Sequence, residues 1–226
     1  TSLYATLARL NDDERKIITI EDPVEYQIDG ISQLQVNAPI GFTFASGLRS
    51  VLRHDPDIVL IGEIRDSETA RIAISASLTG HLVLSTLHTN DSASGVARLV
   101  DMGVEPYLVA SSVQGLIAQA LVRRICDACR QPFELDGAMF AKIKRLYTDQ
   151  ADSLGFFRGV GCPECRFTGY RGRKAIFEIL RMDDEVRSMV VDRATSSMIM
   201  HKAVEKGLVT LRQSGWDCAR QGLTSI

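Results

Sequence analysis

No uninterrupted apolar segment in these 226 residues approaches the ~20 that a membrane-crossing helix requires, and no leader pattern opens them. That excludes a helical membrane anchor within the sequence and makes a cytoplasmic chain the expectation. Net charge is also lacking. With 26 Lys and Arg against 28 Asp and Glu, the balance is −2, so no bulk field draws the chain to nucleic acid or an anionic membrane, although Arg123 and Arg124 form a local basic cluster. Aromatics are scarce at 6%, and no basic stripe is interleaved with them, which argues against a nucleic-acid surface. Internal repeats and low-complexity stretches are absent as well. What is present is 45% hydrophobic and 24% charged, the composition of one or two domains with a real core rather than of a disordered or fibrous chain.

Helix and strand signals alternate through the first half. "TSLYATLAR" puts Leu3, Leu7 and Leu10 at helical spacing, "NDDERK" reads as a polar loop, and the β-branched run in "IITIEDPVEY" predicts a strand that ends in acids. "TFASGLRSVLRHDPD" has one apolar helical face and is stopped by Pro56, because proline lacks an amide donor and disfavours helix at the residue before it. In "DPDIVLIGEIRD", Ile58 to Ile61, with Ile64 beyond them, describe a strand buried on both faces. "DSETARIAISASLTG" then predicts a helix that Asp66 or Ser67 can cap, and "HLVLSTLHTND" a third strand. Such alternation predicts an α/β fold with a largely parallel sheet.

Parallel sheets bind ligands where loops converge at the carboxyl ends of their strands. The three strands deliver Glu21, Asp22 and Glu25; Glu63, followed by Arg65; and His81 and His88, which bracket the third. A carboxylate at such an edge can hold Mg²⁺ or orient and deprotonate a water, and imidazoles can donate to phosphate oxygens. The set fits phosphoryl transfer. Taken singly, each acid also suits a solvated loop or a helix cap, His81 the end of a helix, and His88 a satisfied place in a core.

With their neighbours, these stretches resemble the Asp box, the atypical Walker B motif and the His box of the secretion ATPase superfamily, the hexameric motors of type II secretion and type IV pilus assembly. The likeness runs along the chain, through "TSLYATL", "GYRGRKAIFEIL" and "RQGLTSI". It is strongest to the motor half of the type II secretion ATPases, the GspE family, and nearly as strong to the pilus-extension ATPases, the PilB family. The resemblance implies a RecA-like P-loop NTPase core with a tetracysteine metal-binding insertion and a helical carboxyl-terminal region, divided at 1–121, 122–172 and 173–226. It also implies ATP and Mg²⁺ as ligands. Glu63 would act on Mg²⁺ or water, Glu21 would position or activate water, and His88 would contact the γ-phosphate. Asp22, Glu25, Arg65 and His81 would complete the nucleotide site. Spacing leaves open which glutamate is the general base. Partners implied are five further copies in a homo-hexamer, and inner-membrane platform and docking proteins that hold the motor at the membrane. Hydrolysis would drive addition of pseudopilins or pilins to a filament. His54 in "LRHDPD" departs from the polar uncharged residue common in related motors and leaves the motif acids and histidines intact.

A P-loop NTPase needs G-x-x-x-x-G-K-[ST], whose amides cradle phosphates, and no such string occurs here. In the family "TSLYA" stands just after that motif, so the chain is expected to be a fragment of an ATPase and to be inactive alone. A pilus-extension motor and a non-hydrolysing, zinc-containing assembly module are the alternative functions.

Four of the five cysteines form "CDAC" and "CPEC", Cys126, Cys129, Cys162 and Cys165, in a C-x₂-C-x₃₂-C-x₂-C pattern. Two such pairs can close a tetrahedral structural Zn²⁺ site, and a reducing compartment argues against disulfides. The long separation requires the segment from about Gln131 to Gly161 to fold back on itself. Arg123, Arg124, Arg130 and Arg166 flank the pairs and either neutralise the thiolates or are solvated. Zinc ribbons that read nucleic acid share this pattern, but the acidic balance argues against one. Farther on, Asp183 or Asp184 opens a helical region, Thr195 or Ser196 caps another helix, and Leu211 to Arg220 forms a third. Met189, Met198 and Met200 read as core filling, with a partner surface as the alternative, and Cys218 as a buried spare thiol.

Overall fold

The computed structural model describes residues 2–134, 137 and 156–225. Thr1, Ile226 and most of the stretch between the two cysteine pairs lie outside the described residues. The chain divides into two compact units, Thr1–Leu116 with Leu180–Ala203, and Ile117–Ile179 with Val204–Ile226.

In the first unit, α1 (Ser2–Leu10), β1 (Ile17–Glu21), β2 (Ser32–Gln35), α2 (Phe44–Val51), β3 (Ile58–Ile61), α3 (Ser67–Leu78), β4 (Leu82–Ser85), α4 (Ser92–Asp101) and α5 (Pro106–Ser112) follow one another. The sheet has the order β2-β1-β3-β4 and every pairing is parallel, with Ile17 opposite Ile58 and Ile58 opposite Leu82. Every residue of the two central strands is buried, which is why they read as continuous aliphatic runs. Leu7 of α1 packs with Ile17, Ile58 and Leu60 on one face, each such side chain worth about 1.5–3 kcal/mol on burial. On the other face Gly47 brings α2 close, since a Cβ there would stand 3.3 Å from Cγ2 of Ile20. α1 runs against β1: Tyr4, in its first turn, reaches Glu21 at the carboxyl end of the strand, whereas Leu7 lies over Ile17 at the start.

Asp66 caps α3 by accepting from the Thr69 amide at 2.8 Å. α6 (Asp184–Val191), capped by Asp183, and α7 (Ser196–Glu205), whose Met198 amide donates to Thr195, return to this unit. The strand β2, "SQLQ", was not legible beforehand: it is an edge strand with only Gln33 partly sheltered, so it carries no apolar pattern.

The second unit contains most of β5 (Gly115–Ile125) and β8 (Tyr170–Arg181), which pair, together with the antiparallel β6 (Arg130–Phe133) and β7 (Phe156–Gly159), and α8 (Leu211–Arg220). The stretch from 173, expected to be helical, thus begins as a strand, with Ile176, Glu178 and Leu180 turned inward and Phe177 and Ile179 outward. Buried Glu178 accepts the Leu211 amide at 3.1 Å, satisfying a donor at the start of α8 that no helix carbonyl can reach. Among the described residues no helix is long and apolar enough to cross a membrane.

Candidate functional site at the sheet edge and a four-cysteine cluster

Backbone bonds tie the carboxyl ends of β1, β3 and β4 together. The Gly62 amide donates to Ile20 O (2.7 Å), the Ile64 amide to Thr86 O (3.0 Å), and the Thr86 hydroxyl to Gly62 O (2.7 Å). Glycine at 62 permits this closeness, because a Cβ would stand 3.3 Å from Ile20 O and 3.4 Å from the Glu21 Cα.

On this frame sit two carboxylates in different settings. The Glu63 side chain is 12% exposed, and its Oε2 receives Arg65 Nε and lies 2.9 Å from His88 Nε2. Burial alone would raise its carboxyl pKa; the hydrogen bonds from Arg65 and His88, and their charges, outweigh it and hold the group below the ordinary range. Both partners are well exposed, Arg65 at 63% and His88 at 77%. Among the described residues no donor reaches Glu63 Oε1. His88 is therefore an exposed partner of an acid, not a core histidine.

Glu21 is 4% exposed and is held by neutral donors. Tyr4 donates to Oε2, while Thr19 and Gln33 donate to Oε1, the latter at 3.2 Å. The Tyr4 oxygen also accepts the Glu25 amide at 3.2 Å, and its ring lies 4.4 Å from that of Tyr26. Asp22 and Glu25 are exposed on the loop that follows β1. His81 does not join this group. It stands at the amino end of β4, with Nδ1 2.9 Å from Ala76 O and 3.1 Å from the Thr79 hydroxyl, where it closes the carboxyl end of α3. Tyr4, Thr19 and Gln33 had given no signal in the sequence: a tyrosine at helical spacing looks like core, and only its buried partner 17 residues on reveals the network.

The four cysteines Cys126, Cys129, Cys162 and Cys165 converge, with all four sulfurs within 4.8 Å of one another. β6 leaves directly from Cys129 and pairs with β7, which returns to Cys162, so the ends of the long separation do fold back. The sulfurs of Cys126 and Cys162, and of Cys129 and Cys165, are 3.8 Å apart, and those of Cys162 and Cys165 are 3.7 Å apart. A tetrahedron with metal–sulfur distances of about 2.3 Å has edges of about 3.8 Å, whereas a disulfide would need about 2.0 Å. The donor set can hold a metal ion. Burial pushes the Cys129 thiol up to about 11; at Cys165 the amides of Cys162 and Gly169 overcome burial and bring the thiol down to about 6. Three of the four flanking arginines go elsewhere: Arg123 lies over Tyr170, Arg130 over Phe157, and Arg124 pairs with Asp127 at 2.7 Å.

The chain as a whole is similar to known proteins. The profile of the family described as Type II/IV secretion system protein matches residues 1–226. The chain is 48% identical over 227 residues to the type II secretion system ATPase E of Vibrio cholerae, covering 100% of this chain and 44% of that protein. To the type IV pilus assembly ATPase PilB of Thermus thermophilus it is 46% identical over 225 residues, 99% of this chain and 25% of that one. The chain thus spans less than half the length of these relatives. A crystal structure of the pilus retraction motor PilT with bound ADP is similar with a TM-score of 0.70 and 25% identity, over 100% of this chain and 55% of the other.

Proposed function

From the premise that this chain belongs to the type II/IV secretion system protein family, we propose that it supplies the hydrolytic edge of an ATP-driven motor for type II secretion. In this reading the motor is a homo-hexamer. It sits on the cytoplasmic side of the inner membrane, held by platform and docking proteins, and adds pseudopilins to a filament. The observation that carries the reading is Glu63, an ionised acid at the carboxyl edge of a parallel sheet with one oxygen engaged and the other open. Glu63 Oε1 orients the attacking water and takes its proton late. A weak base suffices, because phosphoryl transfer passes through a loose transition state that asks little of the nucleophile. Arg65 and His88, exposed beside it, offer donors to the γ-phosphate, and Asp22 and Glu25 line the same loop end. Glu63 would hold Mg²⁺ as an oxygen ligand, directly or through water, and the bound ion would supply neutralisation of the charge that develops on the phosphates. Glu21 positions rather than abstracts, since its oxygens are already occupied by three donors. His81 is left out of this set. The four cysteines hold Zn²⁺ as a closed structural site without an open coordination position.

No phosphate-loop string lies within the 226 residues, so this chain by itself is inactive in this reading. The test replaces the matching segment of the Vibrio cholerae relative with these 226 residues. Mg²⁺-dependent ATP hydrolysis is expected, falling at least ~100-fold in Glu63→Gln. A well-folded, hexameric chimaera that stays inert, or one indifferent to Glu63→Gln, would leave a non-hydrolysing assembly module. The pilus-extension reading is nearly as well supported, since 46% identity to PilB differs little from 48%.

A further inference from the structure

The geometry points to Tyr4 as a positioning residue: we infer that its hydroxyl fixes both the Glu21 carboxylate and the loop through Glu25, and so sets where Glu21 offers its remaining lone pair to the water. The inference rests on the proposed hydrolysis and adds to it a residue on a different element. An ionised carboxylate has about four acceptor positions. Thr19 and Gln33 use those of Oε1, and Tyr4 uses one on Oε2. The one left is on the oxygen that Tyr4 holds, so the direction of the tyrosine O–H decides the direction of that lone pair. The same oxygen accepts the Glu25 amide, so a single hydroxyl acts as donor to the acid and as acceptor from the loop.

The hydroxyl is well suited to this. Burial, together with the hydrogen bond to Glu21, raises the Tyr4 pKa, so it keeps its proton wherever hydrolysis is measured. Its ring is buried and lies against Tyr26. Tyr4 also stands one turn before Leu7, which locks α1 to the sheet through Ile17, Ile58 and Leu60. Its position is therefore that of the sheet itself, and a displacement of the first turn of α1 reaches Glu21 directly.

Tyr4→Phe keeps the ring and removes only the hydroxyl. In the chimaera, Tyr4→Phe is expected to lower kcat about tenfold while KM for Mg-ATP stays within about twofold, and to cost nothing further in a Glu21→Gln background. In the 226-residue chain alone, it is expected to speed amide hydrogen exchange at Glu25 with no comparable change at Leu7. Unchanged kcat in a chimaera that still depends on Glu63 would overturn the inference and leave the hydrolysis reading standing. An additive loss in the double variant, or unaltered exchange at Glu25, would also overturn it. A chimaera that is inert with all native residues would instead sink the hydrolysis reading, and with it the catalytic part of this inference, leaving the exchange result to decide whether Tyr4 holds the loop.

Discussion

Alanine at Gly159 is expected to weaken metal binding, and the reason lies in the main chain of one residue, Gly169. The Gly169 carbonyl accepts the Cys126 amide at 3.0 Å, and its own amide donates to Cys165 Sγ at 3.3 Å, so Gly169 fastens one pair of cysteines to the other. Gly159, at the end of β7, packs backbone to backbone against it. A Cβ at 159 would stand 2.6 Å from both the Cα and the carbonyl carbon of Gly169 and closer still to its oxygen, where real Cβ atoms essentially never come within 3.0 Å. The obstacle is main chain, so no rotamer change relieves it, and the Gly169 peptide must withdraw by roughly 1 Å. Metal–sulfur distances tolerate about ±0.2 Å. Losing groups that orient ligands costs 10–100-fold in affinity, or about 1.4–2.8 kcal/mol, and a displaced ligand pair should reach at least that range. The assay is competition for Zn²⁺ against a chromophoric chelator at fixed pH, with Gly207→Ala as control. Gly207 has φ +96° and open space around it, so that variant carries the cost of left-handed backbone without a collision. A Gly159→Ala protein that binds one Zn²⁺ within about threefold of the native affinity would refute the reasoning.

Removing both partners of Glu63, as Arg65→Gln with His88→Gln, leaves burial unopposed, and the carboxyl should rise above its ordinary range, as read by carbon-13 NMR titration of its side chain. The native group is depressed, so its contribution to stability is fully present above the unfolded value near 4.3 and is lost as pH falls through the lower folded value; in the double variant, with the folded value above the unfolded one, the sign reverses and stability falls as pH rises from the unfolded value through the folded one. A carboxyl that stays depressed would mean that some other charge controls it. His81→Ala should cost about 1 kcal/mol in denaturant unfolding through the lost closure of α3, with kcat of the chimaera within about twofold. A tenfold fall in kcat would return His81 to the nucleotide site.

The sequence disclosed those parts whose burial is two-sided. β1 and β3 are covered on both faces, so "IITI" and "IVLI" could be little else than central strands, and their carboxyl ends located Glu21 and Glu63. β2 lies at an edge and β5 at 115–125 shows alternation only in size, with Ile117 and Leu121 exposed; neither breaks the apolar pattern in a way that periodicity detects. β8 was hidden by "YRGRK", whose arginines and glycine read as loop; the strand runs through them although Gly172 itself has φ +81°. The place of His81 shows a different effect. A residue on each side of a strand looks like a pair in sequence, but a strand of four residues separates them by its whole length, which places one at each end of the sheet. The cysteines were legible because two C-x₂-C knuckles need no long-range information to be recognised. Their arginine neighbours were not, because stacking on Tyr170 and Phe157 depends on a fold-back that no local pattern encodes.

Spacing alone could not divide labour between Glu21 and Glu63; under the proposed function, the nature of their partners supports a division. Glu21 is surrounded by neutral donors on α1, β1 and β2, Tyr4 and Thr19 fixed by burial and Gln33 by further hydrogen bonds with Ile28 and Tyr26, and under the proposed function a phosphate arriving at the edge offers those donors nothing they lack. Glu63 is paired with a guanidinium and an imidazole that are both largely exposed. Under the proposed function an incoming γ-phosphate competes for those two groups, because its charge is greater and its oxygens are free to accept. Any share of Arg65 or His88 that it takes is removed from Glu63, whose burial then pushes the carboxyl upward. The acid is thus a poor base while the site is empty and a better one once the nucleotide is in place. The Arg65→Gln, His88→Gln titration measures how far that rise can go, and a rise too small to exceed the ordinary carboxyl value would confine Glu63 to orienting water or holding Mg²⁺.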